Sequence, residues 1–224
     1  MQDVRIWLVS IIVLITASMY GIYQALDAGL MDKHYIFTPE KLHALALSSI
    51  EQHGNNTADL VATIIETLRA DPNIAPYIST EEEWMFNNAG GAMGAMYMIH
   101  CSLTEYLLIF GTAIGTEGHS GRHTADDYFH IIQGTQVAYL PGPGNYEPEV
   151  YPQGSVHHLK RGVVKQYKMD SSCFALEYAR GWIPGMMLFG YMDGLTSTMD
   201  WGTLIATTRR TGGEIIGNLL KGKI

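Results

Sequence analysis

Glu177 is the residue whose surroundings first suggest chemistry. It lies in the apolar, strand-like run FALEYA at residues 174–179, where an unpaired carboxylate is costly because burial removes its hydration. A carboxyl held in such surroundings has a raised pKa and can donate or accept a proton near neutral pH. A second interpretation stays open, in which Glu177 faces outward and is solvated, as most strand glutamates are.

Three further carboxylates stand out by position. Asp126 and Asp127 are adjacent and follow a turn, so each also has an ordinary interpretation as an N-cap or a solvated surface group. Glu105 precedes Tyr106 in the apolar run at residues 103–110. A glutamate in that run is expected to accept hydrogen bonds from buried backbone donors or to pair with His119.

His157 and His158 invite a metal-binding interpretation, which strand geometry argues against. Adjacent residues of a strand point to opposite faces, so both imidazoles cannot bind one ion from the same side. No zinc motif and no set of two histidines and a carboxylate occurs elsewhere in the sequence. The sequence therefore predicts no metal and no other cofactor.

Local patterns predict the elements that must position these residues. Thr38 and Pro39 begin one helix, and Asn56 or Thr57 caps a second helix that ends at Asp71. The segment from 84 to 115 is rich in Gly and Met, and Gly90, Gly91 and Gly94 permit close approach of backbones. From about 128 to 178, short alternating runs separated by Gly and Pro turns predict a compact antiparallel sheet or small barrel.

The two ends of the chain are apolar in different ways. Residues 6–23 carry no charge and are long enough to cross a bilayer, which predicts a retained membrane anchor within residues 1–32. A cleaved signal sequence or a buried helix is the alternative, and the flanking charges leave the orientation open. After Trp182, an apolar segment and an amphipathic stretch at 196–220 predict helices on the membrane surface or a helical cap over the barrel.

Composition narrows the classes of protein. The 224 residues, of which 47% are hydrophobic, fit one domain at 33–224 behind the anchor. A net charge of −8 without a basic cluster makes nucleic acid an unsuitable partner. Cys101 and Cys173 lie in apolar surroundings and are interpreted as buried free thiols, with a disulfide between them left open. Asn55 begins a glycosylation sequon, usable only on the lumenal side of a membrane.

Several ordered strings together resemble one family, that of the fungal C-8 sterol isomerases and the sigma-1 receptor. The first strings are WMFNNAGGAMG at 84–94, SLTEYLLIFGTA at 102–113 and GHSGR at 118–122. The strings ADDYF at 125–129, HHLK at 157–160 and FALE at 174–177 resemble the isomerase branch more than the receptor branch.

The resemblance implies an α+β fold: a single N-terminal transmembrane helix, a cupin-like antiparallel β-barrel with flanking helices, and C-terminal helices next to the membrane from about 182. It also implies a single-pass protein of the endoplasmic reticulum membrane, in contact with lipid and assembled as a homotrimer. The implied activity is a sterol 8,7-isomerase of ergosterol-type biosynthesis. The alternatives are a non-enzymatic receptor for cationic amphiphiles or sterols and, less well supported, a metal-dependent cupin oxygenase.

The implied reaction calls for two carboxyl groups in a dry cavity, one acid and one base. Glu177 matches the glutamate that holds the ligand amine in the receptor, whereas the receptor's binding-site aspartate falls at Phe129. The partner is therefore expected at Asp126 if the segment is helical or at Asp127 if it is a strand, and Asp126 is preferred. Tyr106 is expected to orient Glu177. The residues expected to line the sterol pocket are Trp84, Phe86, Phe129, Tyr178 and Trp182.

Overall fold

A computed structural model describes residues 2–224, and it divides the chain into two compact units, Met1–His34 and Tyr35–Ile224. The first unit consists of helix α1, Gln2–Asp27, and a short 3-10 turn at Asp32–His34. Within α1, the segment Ile6–Leu26 is long and apolar enough to span a membrane. This helix is compatible with the predicted anchor.

Two capped helices open the second unit, as predicted. Helix α2, Pro39–His53, begins where Thr38 accepts a hydrogen bond from the backbone N–H of Lys41. Helix α3, Thr57–Ala70, begins where the side chain of Asn56 accepts from the backbone N–H of Asp59. Both helices bury one apolar stripe against a sheet.

Ten strands form two antiparallel sheets. Their bounds are β1 Trp84–Ala89, β2 Ala92–Cys101, β3 Glu105–Thr112, β4 Thr116–His119, β5 Ala125–Gln133, β6 Thr135–Tyr139, β7 Glu149–Pro152, β8 Val156–Leu159, β9 Gln166–Met169 and β10 Cys173–Gly181. The six-stranded sheet has the order β1-β2-β3-β10-β5-β8, and the four-stranded sheet has the order β4-β9-β6-β7. The two sheets face each other as a barrel, so the α+β architecture and the antiparallel sheet are confirmed.

The Gly-rich segment for which no element was predicted forms strands β1 to β3. Gly90 and Gly91 make the turn between β1 and β2 with positive φ angles of 63° and 81°, a conformation that glycine adopts without strain. Gly94 packs against the ring of Phe110, and a Cβ there would lie 2.7 Å from the ring. Close approach of backbone and ring is the reason for glycine at this position.

The six-stranded sheet separates two apolar clusters. Its outer face packs against α2 and α3 and carries Leu107, Ile109 and Tyr178. Its inner face carries Met96, Leu108 and Phe110 and points into the barrel. Alternate residues of each strand thus enter different clusters. Cys101 and Cys173 are buried and free, which confirms the thiol interpretation.

The C-terminal part forms helix α4, Ile183–Asp193, a π-helical turn at Gly194–Thr198 and helix α5, Trp201–Leu220. Helix α5 begins later than the predicted amphipathic stretch, because Met199 adopts a left-handed φ of 50° and Asp200 caps the new helix by accepting from the N–H of Thr203. Helix α4 packs on β1, and helix α5 packs on β1 and β2. They also expose large apolar side chains, among them Leu188, Ile205 and Leu220.

Candidate active site

A cavity of about 160 Å³ lies between the two sheets, with α4 and α5 at one side. Its walls are mainly apolar, with Met96, Leu108 and Phe110 from the six-stranded sheet and Met187 and Leu204 from the helices. The carboxyl groups of Glu177 and Asp127 on the six-stranded sheet also face this cavity, and Asp200 lines it on the helical side.

Strand register brings the two carboxyls together. On β10 and β5, Glu177 pairs with Phe129 and Ala179 pairs with Asp127. Because side chains two residues apart share a face, Asp127 and Glu177 are diagonal neighbours on the inner wall. The structure therefore joins Glu177 with one aspartate of the candidate pair.

Both carboxyls are buried away from water, and this burial raises the pKa of each. Glu177 is 8% exposed, and burial raises its pKa to about 8. Asp127 is 2% exposed; burial and the neighbouring Glu177 raise its pKa well above the usual range. Its Oδ1 atom has no hydrogen-bond partner among the described residues. Such a pair keeps at least one proton at neutral pH, because two adjacent buried carboxylates repel each other.

Asp126, the preferred partner at the sequence level, points the other way. Its Oδ1 lies 3.2 Å from Nε2 of His158 and 3.1 Å from the backbone N–H of Arg161, on the outer side of the sheet. The reason is that β5 already begins at Ala125, so the strand period of two applies and selects Asp127. The preference for Asp126 is corrected on this point.

The expected pocket aromatics divide between the cavity and other surfaces. Phe86 and Phe129 line the cavity. Tyr178 does not, because it follows Glu177 on β10 and points to the outer face, where its hydroxyl donates to Glu105. Trp84 lies in a separate groove against Tyr97, and Trp182 precedes α4 outside the cavity lining. Those three positions do not match the expected sterol contacts.

Tyr106 lines the cavity near Glu177 but does not orient it through a hydrogen bond. Its hydroxyl donates instead to the sulfur of Met96, at 3.5 Å. Burial, with the nearby Glu177 as a lesser cause, raises the pKa of Tyr106 well above its usual value.

Comparison with known proteins identifies the family. The model of the family described as "ERG2 and Sigma1 receptor like protein" matches residues 9–223. The chain belongs to this family. The chain is 64% identical to a C-8 sterol isomerase of Pyricularia oryzae, over 86% of each protein. It is 56% identical to C-8 sterol isomerase ERG2 of Gibberella zeae, over 97% of this chain and 90% of the relative.

More distant similarities include a receptor and a solved structure. Sigma non-opioid intracellular receptor 1 of Gallus gallus is 37% identical over 83% of this chain and 82% of the receptor. Among solved structures, an RmlC-like cupin from Shewanella frigidimarina has 13% identity and a TM-score of 0.38, covering 46% of this chain and 89% of the cupin. The family resemblance drawn from the sequence is confirmed.

Glu105 has a structural role and lies outside the cavity. It is fully buried, and its carboxylate accepts from the backbone N–H groups of Ile36 and Phe37 at 2.9 and 3.0 Å and from Tyr178 at 2.7 Å. Lys223 completes the set with an ion pair of 3.0 Å. The expected bonds to backbone donors are present, but His119 is not a partner; its Nδ1 accepts from the N–H of Gly121.

His157 and His158 lie on opposite faces of β8, as the strand argument predicted. His158 stacks on Tyr128 outside, at 4.2 Å between ring centroids, whereas His157 lines the cavity.

Sequence reasoning missed two polar residues of the facing sheet, Gln136 on β6 and Tyr167 on β9. Tyr167 lines the same cavity as Glu177 and Asp127, and burial, with these two carboxyls as lesser causes, raises its pKa. The alternation within β6 and β9 is the only local signal for either residue.

Proposed function

We propose that this chain is a sterol 8,7-isomerase, which shifts a sterol double bond from the 8,9 to the 7,8 position. The observation that carries the proposal is the pair of buried carboxyls, Glu177 and Asp127, in one mostly apolar cavity. The relatives named C-8 sterol isomerase support it, since they are 56 to 64% identical in the cases given above.

The reaction needs one proton delivered to C9, a cation held at C8 and one proton removed from C7, with no change in oxidation state. Asp127, whose pKa is raised well above the usual range by burial and by the neighbouring Glu177, is proposed as the acid that protonates C9. Glu177, as the carboxylate, stabilises the cation at C8 and then accepts the proton from C7. A proton passing between the adjacent carboxyls restores the starting state.

Aromatic rings and the protein interior assist these steps. Phe129 and Tyr106 line the cavity next to the carboxyls and offer ring faces to a developing cation. The two carboxyls are buried away from bulk water, which strengthens the attraction between Glu177 and the cation. No step requires a metal or a nucleotide.

Admission of a sterol requires the helical side of the cavity to open. The volume of about 160 Å³ is smaller than that of typical ligand pockets, which hold roughly 300–1,000 Å³. Helices α4 and α5 contribute cavity residues and also expose apolar side chains, so they are the elements proposed to part when a sterol enters from lipid.

We place the protein as a single-pass protein of the endoplasmic reticulum membrane, with residues 1–32 as the anchor and 33–224 as the sterol-binding domain. The apolar helix at Ile6–Leu26 supports the anchor, and the sterol chemistry supports that compartment. We also propose a homotrimer by family resemblance. A groove beside β1 and β2 exposes Trp84, Phe86 and Met93, which suits contact with a second copy.

The receptor alternative is less well supported. The sigma receptor of Gallus gallus is 37% identical to the chain, well below the isomerases. The carboxyl pair also gives the cavity an acid as well as a base.

Expression in fungal cells that lack sterol isomerase, followed by sterol profiling, tests the function. The wild-type chain should convert accumulated Δ8 sterols to Δ7 sterols, whereas Glu177→Gln should not. Asp126→Asn is the matched control, because it alters a neighbouring carboxyl that faces away from the cavity. Continued accumulation of Δ8 sterols despite a stable, membrane-located wild-type protein would refute the proposal.

A further inference from the structure

The cavity contains a second polar feature that the proton transfers do not use. Gln136 of β6 is only 1% exposed, yet it lines the cavity. Its Oε1 atom lies 2.6 Å from Nδ1 of His157, which is 2% exposed. No hydrogen bond from the amide nitrogen of Gln136 is formed within the described part of the chain.

A chain of hydrogen bonds fixes the orientation of this amide. The ammonium of Lys165 lies 2.5 Å from Oε2 of Glu149 and 3.3 Å from Nε2 of His157. An ammonium can only donate, so Nε2 of His157 must be the acceptor and Nδ1 must carry the proton. Nδ1–H therefore donates to Oε1 of Gln136, and the NH₂ group of Gln136 remains available as a donor.

Two further features hold His157 in this state. The ring of Tyr151 stacks on it at 4.4 Å between centroids, while the hydroxyl of Tyr151 donates to Glu149. Burial and the nearby Lys165 lower the pKa of His157 to about 4, so the imidazole is neutral at pH 7.

The position of Gln136 relative to the carboxyl pair matches the order of groups along a sterol. Helix α4 packs on β1 and helix α5 packs on β1 and β2, while β8 with His157 is the opposite edge strand of the six-stranded sheet. Glu177 on β10 lies two strands from β8, roughly 10 Å along the sheet, and three strands from β1. In a sterol the reacting ring is likewise nearer to the hydroxyl end than to the tip of the side chain.

We propose that the NH₂ group of Gln136 binds the 3-hydroxyl oxygen of the sterol, with the side chain directed toward α4 and α5. This subsite rests on the proposed function and deepens it, because it sets which end of the sterol enters first and where the double bond stops. Other polar groups of the lining are less suitable. Asn87 and Thr203 are half-buried and open to water, and Nε2 of His123 already pairs with the carbonyl of Ser120 at 2.6 Å.

The test compares a Δ8 3β-hydroxysterol with its 3-deoxy analogue in detergent–phospholipid micelles, using the purified full chain. Wild type should favour the hydroxysterol in kcat/KM by at least about tenfold, because the deoxy compound leaves a buried donor unpaired. Gln136→Met should reduce this ratio toward one, mainly through KM for the hydroxysterol. The ratio does not depend on the fraction of folded enzyme, so partial unfolding cannot imitate the result.

Two further variants sharpen the comparison. Gln166→Met alters an exposed glutamine on β9 and should keep the wild-type ratio. Lys165→Met leaves Gln136 in place but removes the donor that fixes the proton of His157 on Nδ1, so the orientation of the Gln136 amide is no longer fixed. The ratio should then lie between that of wild type and that of Gln136→Met. A wild-type ratio in Gln136→Met would overturn the subsite.

Competition binding of the same two sterols separates this proposal from the proposed function. If wild type isomerises neither sterol but binds the hydroxysterol more tightly in a Gln136-dependent manner, the isomerase proposal fails and the subsite stands. Equal binding of the two sterols by wild type would refute the subsite whatever the activity.

Discussion

Replacing Glu177 by Gln should inactivate the protein and at the same time stabilise its fold. The folded-state pKa of Glu177 is about 8, raised by burial from an ordinary value of 4.5. Below pH 4.5, Glu177 is protonated in both the folded and the unfolded state and does not reduce the free energy of unfolding. As the pH rises from 4.5 to about 8, the unfolded state loses this proton more readily than the folded state, so the free energy of unfolding falls. At 1.36 kcal/mol per pH unit, holding the proton on Glu177 costs the fold about 3 kcal/mol at pH 7 and under 1 kcal/mol at pH 5. Gln has nearly the same shape and never bears this cost.

Thermal unfolding of the detergent-solubilised protein at pH 5 and pH 7 measures the effect. For a chain of this size, about 3 kcal/mol corresponds to a rise in Tm of roughly 6–12 °C at pH 7, and the rise should nearly vanish at pH 5. Glu51→Gln, an exposed position on α2, is the control and should change stability by less than about 0.5 kcal/mol. A Glu177→Gln variant that is no more stable than wild type at pH 7, or equally stabilised at both pH values, would contradict the burial argument.

Three other outcomes follow from the same contacts. Asp127→Asn should abolish isomerisation in the sterol-profiling assay, whereas Asp126→Asn should retain most of it. The reverse result would show that Asp126 is the partner of Glu177. The kcat/KM of wild type should rise with pH up to about 8, because Glu177 must lose its proton to act as the base; a rate that falls over pH 6 to 8 would contradict that role. Lys223→Met should lower the free energy of unfolding by about 3–5 kcal/mol, since it leaves the buried charge of Glu105 without its cation, and chemical denaturation that shows a loss below 1 kcal/mol would refute the pairing.

The sequence predicted best those elements whose signals are local. Thr38 and Asn56 cap helices because a short polar side chain meets free N–H groups within the same turn, so neighbouring residues suffice to find them. Strands β1 to β3 could not be recognised in the same way. The Gly, Ala and Asn residues of β1 and β2 have weak strand propensity, and Gly94 is required by the ring of Phe110, which is distant in sequence. Tertiary contacts decide the structure of that segment.

In the site, too, the sequence predicted residues with a local signal and missed those that depend on tertiary contacts. Glu177 could be singled out because its own neighbours are apolar, whereas its partner depended on whether the chain at Ala125 was already a strand. The error at Tyr178 followed from residue type, although strand alternation would have assigned it to the face opposite Glu177. Gln136 and Tyr167 come from the other sheet, and only the closure of the barrel brings them to the carboxyls.

Two buried glutamates with opposite surroundings show how the fold assigns their roles. Glu105 is fully buried, and its carboxyl is surrounded by two backbone donors, the hydroxyl of Tyr178 and the ammonium of Lys223. These partners satisfy the carboxyl and join separate segments of the chain. Glu177 forms no hydrogen bond with any described residue and faces Asp127 across one strand spacing, so when it loses its proton its charge has no compensating partner until a cation enters the cavity. Because Tyr178 follows Glu177 directly on β10, the same strand satisfies one carboxylate on its outer face and leaves the other unsatisfied on its inner face. The cost of that unsatisfied group to the fold is the physical reason that we expect it to act on a cationic intermediate rather than to serve stability.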